Sequence, residues 1–232
     1  MRVLVACEFS GIVREAFHRR GHDAWSCDLL PTEIPGDHIQ DDVLLHLDEG
    51  WDLMIAHPPC TYLASSGLHW NKRVAGRDKL THEAMLFVLN LMGEGFITHD
   101  IPRIALENPV GCISTQYRKP DQIIQPWDFG HNASKATCLW LKGLPKLIPT
   151  SHVNPQFACK CGYRFSYELG VYGCPNCNGE HGRARLVFEN QTKSGQNKLG
   201  PSEHRARDRS RTYLGIAEAM AEQWSDIAKG VR

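Results

Sequence analysis

Apolar and polar positions in this chain fall into short solid apolar runs separated by longer stretches with a period near 3.6. RVLVAC, residues 2 to 7, is such a run and predicts a strand buried on both faces. After the turn FSG, the segment IVREAFHRRG sets Ile12, Val13, Ala16 and Phe17 on one side and Arg14, Arg19 and Arg20 elsewhere. That spacing predicts a helix, stopped at Gly21. HDAWSCDLLP predicts a second strand ending at Asp28, and DLMIA (52–56) a third. THEAMLFVLNLMGEGF (81–96) predicts a helix with Thr81 as its cap. PRIALENP (102–109) and KATCLWLKGLP (135–145) predict two more strands. Strands alternating with helices predict an α/β fold, a doubly wound, mostly parallel, Rossmann-like sheet.

From about residue 150 the pattern breaks. The stretch CKCGYRFSYELGVYGCPNCNGEHGRARLVFENQTKSGQNKLG is rich in Cys, Gly, Asn and Lys and carries only short aromatic strand-like pieces. It predicts a small module inserted at 151–199 into a main domain formed by 1–150 and 200–232. RTYLGIAEAMAEQWSDIAKG then predicts a closing helix, with Ile216, Ala219, Met220 and Trp224 facing the main sheet.

Composition changes this picture at two points. Lys+Arg and Asp+Glu number 26 each, so global charge favours no class of partner. No run of 18 apolar residues is present, and the opening MRVLVACEFSG is too short and too soon interrupted by Glu8 to be a signal peptide. The expectation is a cytoplasmic protein, or one that acts in the cytoplasm of a host. Nine cysteines are many for such a chain. Cys7, Cys27, Cys60, Cys112 and Cys138 are scattered, whereas Cys159, Cys161, Cys174 and Cys177 follow C-x-C, twelve residues, C-x-x-C. Four thiolates at this spacing can close a tetrahedral, structural zinc site, which a module of this size needs because its own core is too small. Between 183 and 211 there are eight Lys/Arg against three Asp/Glu. Arg183, Arg185, Arg205, Arg207 and Arg209 can meet phosphates there, the alternative being an ordinary solvated face. The polar segment STQYRKPDQIIQPWDFGHNASKATC, with Arg118, Lys119, His131 and Lys135, reads either as a phosphate- or base-gripping border or as a plain long loop.

Ligands of doubly wound sheets sit at the C-terminal ends of the strands. Glu8 and Phe9 follow the first strand, Asp28 the second, and Cys60 and Glu107 two later ones, so these groups gather on one rim. Gly11 gives a turn, Asp28 can accept bonds from ribose hydroxyls, and Asp41 or Asp42 from an adenine amino group, unless these acids are simply solvated. Cys60 follows two prolines that stiffen its backbone and suits a nucleophile; a lone cysteine is otherwise a small buried apolar residue. Glu107 and Asn108 on the same rim add a hydrogen-bonding acid. A thiol at C6 of a pyrimidine with a carboxyl at N3 is a workable pairing, provided both grip one ring.

Taken in order, FSG, CD (27–28), DDV (41–43), PPC, ENP and the final TYLGIAEAMAEQW resemble the S-adenosylmethionine-dependent cytosine-5 DNA methyltransferases, especially small phage-borne and prophage members, over roughly 1 to 145 and 205 to 232. The resemblance implies a methyl donor held near Glu8, Phe9, Ser10, Gly11, Asp28, Asp42 and Pro59. It implies that Cys60, Glu107 and Asn108 act on a cytosine taken out of DNA, and it puts the zinc module where the family reads its target. The chain departs from the family pattern with Val13 for a second glycine, Thr61 for glutamine and Pro109 for valine. It also has no clear Arg-x-Arg element. Amino-group methyltransferases offer a rival, with a Pro-Pro-aromatic loop in which Cys60 replaces the aromatic and Tyr62 lies two residues on. RNA, a nucleotide or modified DNA as substrate, or a catalytically silent nucleic-acid-binding protein, are the other readings.

Overall fold

The computed structural model describes residues 1–166, 174–178, 180, 184–192, 198–199, 202 and 205–225. They form two compact units. One holds residues 1–124 and 136–148 with the C-terminal segment from Ser210; the other holds Gln125–Lys135 and Pro149–Arg209.

The first unit is a mixed α/β fold built on a seven-stranded sheet. Its strands are β1 (Arg2–Ala6), β2 (Asp23–Cys27), β3 (His38–Ile39), β4 (Leu53–Ala56), β5 (Ile104–Pro109), β6 (Gln122–Ile124) and β7 (Thr137–Lys142), in the order β3-β2-β1-β4-β5-β7-β6. The pairs from β3 to β5 are parallel; β7 runs antiparallel to both β5 and β6. The solid apolar runs behave as their pattern predicts: Val3 to Ala6 and Leu53 to Ala56 are all 0% exposed, covered on both faces. The chain moves outward from β1 through β2 to β3, then returns to place β4 on the other side. This reversal puts the switch point, where open α/β sheets bind their ligands in a crevice, at the C-terminal ends of β1 and β4.

Several elements depart from expectation. In α1 (Ile12–His18), Arg14 is not on the wet side: it is fully buried. Its guanidinium donates to Ser26, Thr32 and the Ile34 carbonyl, so the charge is carried inward by hydrogen bonds. The helix α3 (Arg77–Leu91) starts four residues before Thr81, from Gly76 in the left-handed region at φ 77°. Thr81 is buried inside the helix, its hydroxyl bonded to Asn71 and the Tyr62 carbonyl. The polar segment after residue 112 is not one loop. It holds the short helix α4 (Ile113–Gln116) and β6, an edge strand of three residues. With Ile124 buried and Ile123 55% exposed, β6 is too short to show a period in the sequence.

A short helix, α2 (Ser65–Leu68), follows the loop after β4. The closing helix α6 (Leu214–Ser225) buries Ile216, Ala219, Met220 and Trp224 as the pattern predicts, and it packs against α1. The predicted continuation to residue 230 falls outside the described residues. The second unit contains a three-stranded antiparallel sheet of β8 (Gln156–Ala158), β9 (Arg164–Ser166) and β10 (Arg185–Val187), in the order β10-β8-β9, and the helix α5 (Arg205–Ser210). Among the described residues no helix is long and apolar enough to cross a membrane.

Candidate active site

The turn after β1 is built around one buried carboxylate. Glu8 is 5% exposed, and its oxygens accept from the Val13 and Arg14 backbone N–H groups and from the Ser10 hydroxyl, at 2.7, 3.2 and 3.0 Å. It thus satisfies the orphan donors at the start of α1, where an acid is also favoured by the helix dipole. Gly11 lies in the left-handed region at φ 74°, and a Cβ there would sit 2.8 Å from an Arg14 guanidinium nitrogen. Phe9 is buried and its carbonyl accepts from Glu33 N–H. Glu8, Phe9, Ser10 and Gly11 are all buried, and the polar atoms of Glu8 and Ser10 are spent on the helix start.

The rim itself carries the acids. Asp28 follows β2 half-buried, with one oxygen accepting from Leu30 N–H; burial holds its carboxyl above the usual range. Asp41 and Asp42 do different work. Asp42 caps the turn Val43–Leu45 through Leu44 N–H, and Asp41 pairs with His46 at 3.2 Å. Beside these acids stand three exposed leucines that the motif reading missed: Leu29 at 72%, Leu30 at 46% and Leu45 at 73%. They put bare apolar side chains next to carboxylates on this rim. In the sequence they show only as apolar residues inside loops. The thiols behind the rim are poor nucleophiles: burial pushes Cys27 up to about 12, and Cys7 is raised by the same cause.

The loop after β4 is fixed from behind. His57 N–H donates to the Ala6 carbonyl, and the His57 Nδ1 lies 2.7 Å from a Glu107 carboxylate oxygen. Both side chains are almost covered, at 8% and 10% exposed. The next residue on β5, Asn108, donates to the Pro58 carbonyl at 2.8 Å. Glu107 and Asn108 therefore both reach back into HPPC, to the residues just ahead of the thiol. Pro59 and Cys60 emerge exposed from this frame. The Cys60 carbonyl accepts from Leu63 and Ala64 N–H, and the turn is braced by Leu63 O accepting from Cys112 N–H. At Gly111 a Cβ would collide with that same Leu63 carbonyl, so glycine is required there. His57 was visible in the sequence only as a letter within HPPC; nothing in its spacing marks it as the partner of a residue fifty positions on.

In the second unit, the four predicted metal ligands come together. The sulfurs of Cys159, Cys161, Cys174 and Cys177 all lie within 4.8 Å of one another. Two of the separations, Cys159 to Cys177 and Cys161 to Cys174, are 3.6 Å. A tetrahedron with Zn–S bonds of about 2.3 Å has edges of about 3.8 Å, so the donor set fits zinc. The four thiols titrate together: the Tyr163 backbone N–H and then the neighbouring thiols hold Cys161 down, whereas burial and the same neighbours push Cys159 up.

The predicted nucleic-acid contacts divide. The Arg118 guanidinium is engaged inside the first unit, with Asp121 at 2.6 Å and the Leu141 carbonyl at 3.0 Å. Lys119, Arg185, Arg207 and Arg209 are exposed, while Lys135 and Arg205 are half-buried. Arg183 lies outside the described residues.

No protein-family model matches the chain, and no curated protein does. Among solved structures, the chain is similar to one described as a candidate DNA modification methyltransferase encoded within a prophage of E. coli. The identity is 14%, the match covers 66% of this chain and 52% of that one, and the TM-score is 0.43. The chain thus spans about half the length of that protein.

Proposed function

We propose that this chain transfers a methyl group from S-adenosylmethionine to C5 of cytosine in DNA, with Cys60 as nucleophile and Glu107 as the acid on the base. One observation carries the reading. Glu107 and Asn108 hold the residues immediately ahead of the exposed Cys60, at 2.7 and 2.8 Å, so thiol and carboxyl stand on one hydrogen-bonded frame. Chemistry that needs two groups on one ring depends on such mutual positioning.

The Cys60 thiolate forms a bond to C6. Electrons shift from C5–C6 to C4–C5 and from C4–N3 onto N3, which takes the Glu107 proton. C5 is now electron-rich; S-adenosylmethionine, when bound, would supply the electrophilic methyl carbon that C5 takes, the C–S electron pair leaving with the neutral thioether. A base then removes the C5 proton, the C6–S bond breaks toward sulfur, and N3 returns its proton to Glu107. For the cofactor we assign the crevice beside β1 and β4. Asp28, Asp42 and Pro59 lie on its rim, Leu29 and Leu45 are its apolar cover, and Glu8, Phe9, Ser10 and Gly11 form its wall. The module at 151–199 is assigned a structural zinc ion and a part in target recognition, with Lys119, Lys135, Arg185, Arg205 and Arg207 as phosphate contacts.

The amino-group rival needs a free aromatic beside the prolines. Tyr62 does not offer one cleanly: the Arg77 guanidinium lies 4.8 Å over its ring. The deciding experiment incubates the full chain with methyl-labelled cofactor and, separately, DNA, RNA and cytidine monophosphate, and then identifies the labelled nucleoside. Labelled 5-methylcytosine from DNA is expected. Label on an exocyclic amino group, or no label in any arm, sinks the proposal.

A further inference from the structure

His57 has a geometry that the proposed chemistry does not yet use. Its Nδ1 lies 2.7 Å from Glu107 Oε2, in a site where the side chains are 8% and 10% exposed. Its other nitrogen, Nε2, is buried and has no hydrogen-bond partner among the described residues. A buried polar atom left without a partner is costly, and a histidine kept in that condition needs a reason. His57 is also anchored at the crevice itself, since its backbone N–H closes onto the last residue of β1.

We infer that His57 is the positioning residue of Glu107: its Nδ1–H holds one carboxyl oxygen, turns the other toward the pyrimidine, and steadies the anion left when that oxygen gives up its proton. The inference rests on the reading of Glu107 as the acid that serves N3. The proton balance is simple. Before addition Glu107 is neutral and His57 donates through Nδ1 to Oε2. As sulfur bonds to C6, the Oε1 proton passes to N3, and the carboxylate that remains keeps the Nδ1–H donor, now as a charge-assisted bond. On elimination the proton returns from N3 to Oε1. His57 changes no bond to the substrate; it acts through Glu107.

Few charges compete with the pair. On β7, packed beside β5, the titratable groups are the Cys138 thiol, raised by burial and then by Glu107, and Lys142 at the far end of the strand, opposite Ile104. At the end of β1, packed beside β4, they are Cys7, also raised by burial, and Glu8, whose carboxyl is bonded to the start of α1. On the loop itself they are Cys60 and Tyr62. From the loop after β4, His57 Nδ1 stands 2.7 Å from Glu107 Oε2.

The test uses the full chain in two measurements. The first records the imidazole ¹⁵N–¹H signals of His57 at one pH in the wild type and in Glu107→Gln. A proton on Nδ1, with a signal displaced by its bond to the carboxyl in the wild type and moved by the substitution, is expected. An Nδ1 without its proton, or a signal unmoved by the substitution, overturns the inference whatever the enzyme does. The second compares methyl transfer by His57→Asn and His57→Leu. Asparagine keeps a donor near the Nδ1 position and leucine does not. The expectation is a fall in kcat of about 10²-fold for leucine with little change in KM, partial recovery with asparagine, and a displaced pH profile in both. Equal rates and an unshifted profile in the two variants overturn the positioning role in an active enzyme. A wild-type protein that shows the coupling yet methylates nothing overturns the proposed function, and the role falls with it.

Discussion

Cys60 is chemically useful only because of what stands behind it. The two prolines limit its backbone, the Asn108 amide holds Pro58, and Glu107 is tied to His57. Cys60→Ala is expected to lower methyl transfer by at least about 10³-fold while leaving the melting curve unchanged, since the side chain is exposed and a nucleophile has no substitute. Asn108→Ala removes a buried bond and is expected to cost about 1–3 kcal/mol in denaturant melts, with a loss of activity larger than its loss of fold. Gly11→Ala forces a left-handed φ on alanine and drives its Cβ against Arg14; a cost of about 1–3 kcal/mol is expected from the same measurement. At this scale the sequence was legible where order along the chain was enough. PPC and ENP could be matched because each closes a strand. Arg14 and His57 could not be read this way. A helical wheel assigns Arg14 a side of the helix but cannot show that Ser26 on β2 and Thr32 and Ile34 on the loop after it arrive to receive its hydrogen bonds. His57 matters only through a strand that the chain reaches fifty residues later.

At the scale of elements, the long buried strands were the easiest to recognise, because a parallel strand covered on both faces leaves a solid apolar run. Short ones were not: β3 has two residues and β6 three, fewer than one alternation needs to declare itself. The turn Val43–Leu45, which follows the Asp41–Asp42 pair, gives a pH prediction. His46 is held above its ordinary value by its bond to Glu49 and then by Asp41, whereas Asp41 is held below the carboxylate range by the Asp42 N–H and then by His46. The histidine's contribution is complete below its unfolded value of about 6.5 and fades as pH rises through its higher folded value. The aspartate's contribution is complete above about 3.9 and fades as pH falls through its lower folded value. The link is therefore strongest in mildly acidic solution. Thermal melts should show wild type exceeding His46→Gln by a small margin near pH 5.5, with the two curves converging as the solution is made alkaline. The margin stays small because both carboxylates, Asp41 and Glu49, are well exposed.

At the scale of the molecule, the mostly parallel sheet followed from alternation alone, and the convergence of four cysteine sulfurs from a spacing that few other purposes require. The boundaries of the second unit were harder to see, because Gln125–Lys135 carries no cysteine and nothing unusual in its composition. Its membership is settled by contacts: Trp127 stacks on Phe188 at 4.8 Å, and Asn190 exchanges bonds with the Ser134 backbone. Protein purified without chelator should carry one zinc per chain by elemental analysis. Stripping it should expose the stretch 149–209 to protease while the melt of the sheet unit persists, and Cys161→Ser should bind less than one equivalent. The paired origin of this unit, one short stretch before β7 and one long stretch after it, governs how it can be moved between proteins. A graft taken as one continuous cassette from 149 to 209 leaves Trp127 and Ser134 in the donor and arrives with Phe188 and Asn190 bare. A transplant that folds has to carry both stretches and therefore has to bring β7, or a strand that does its job, along with them.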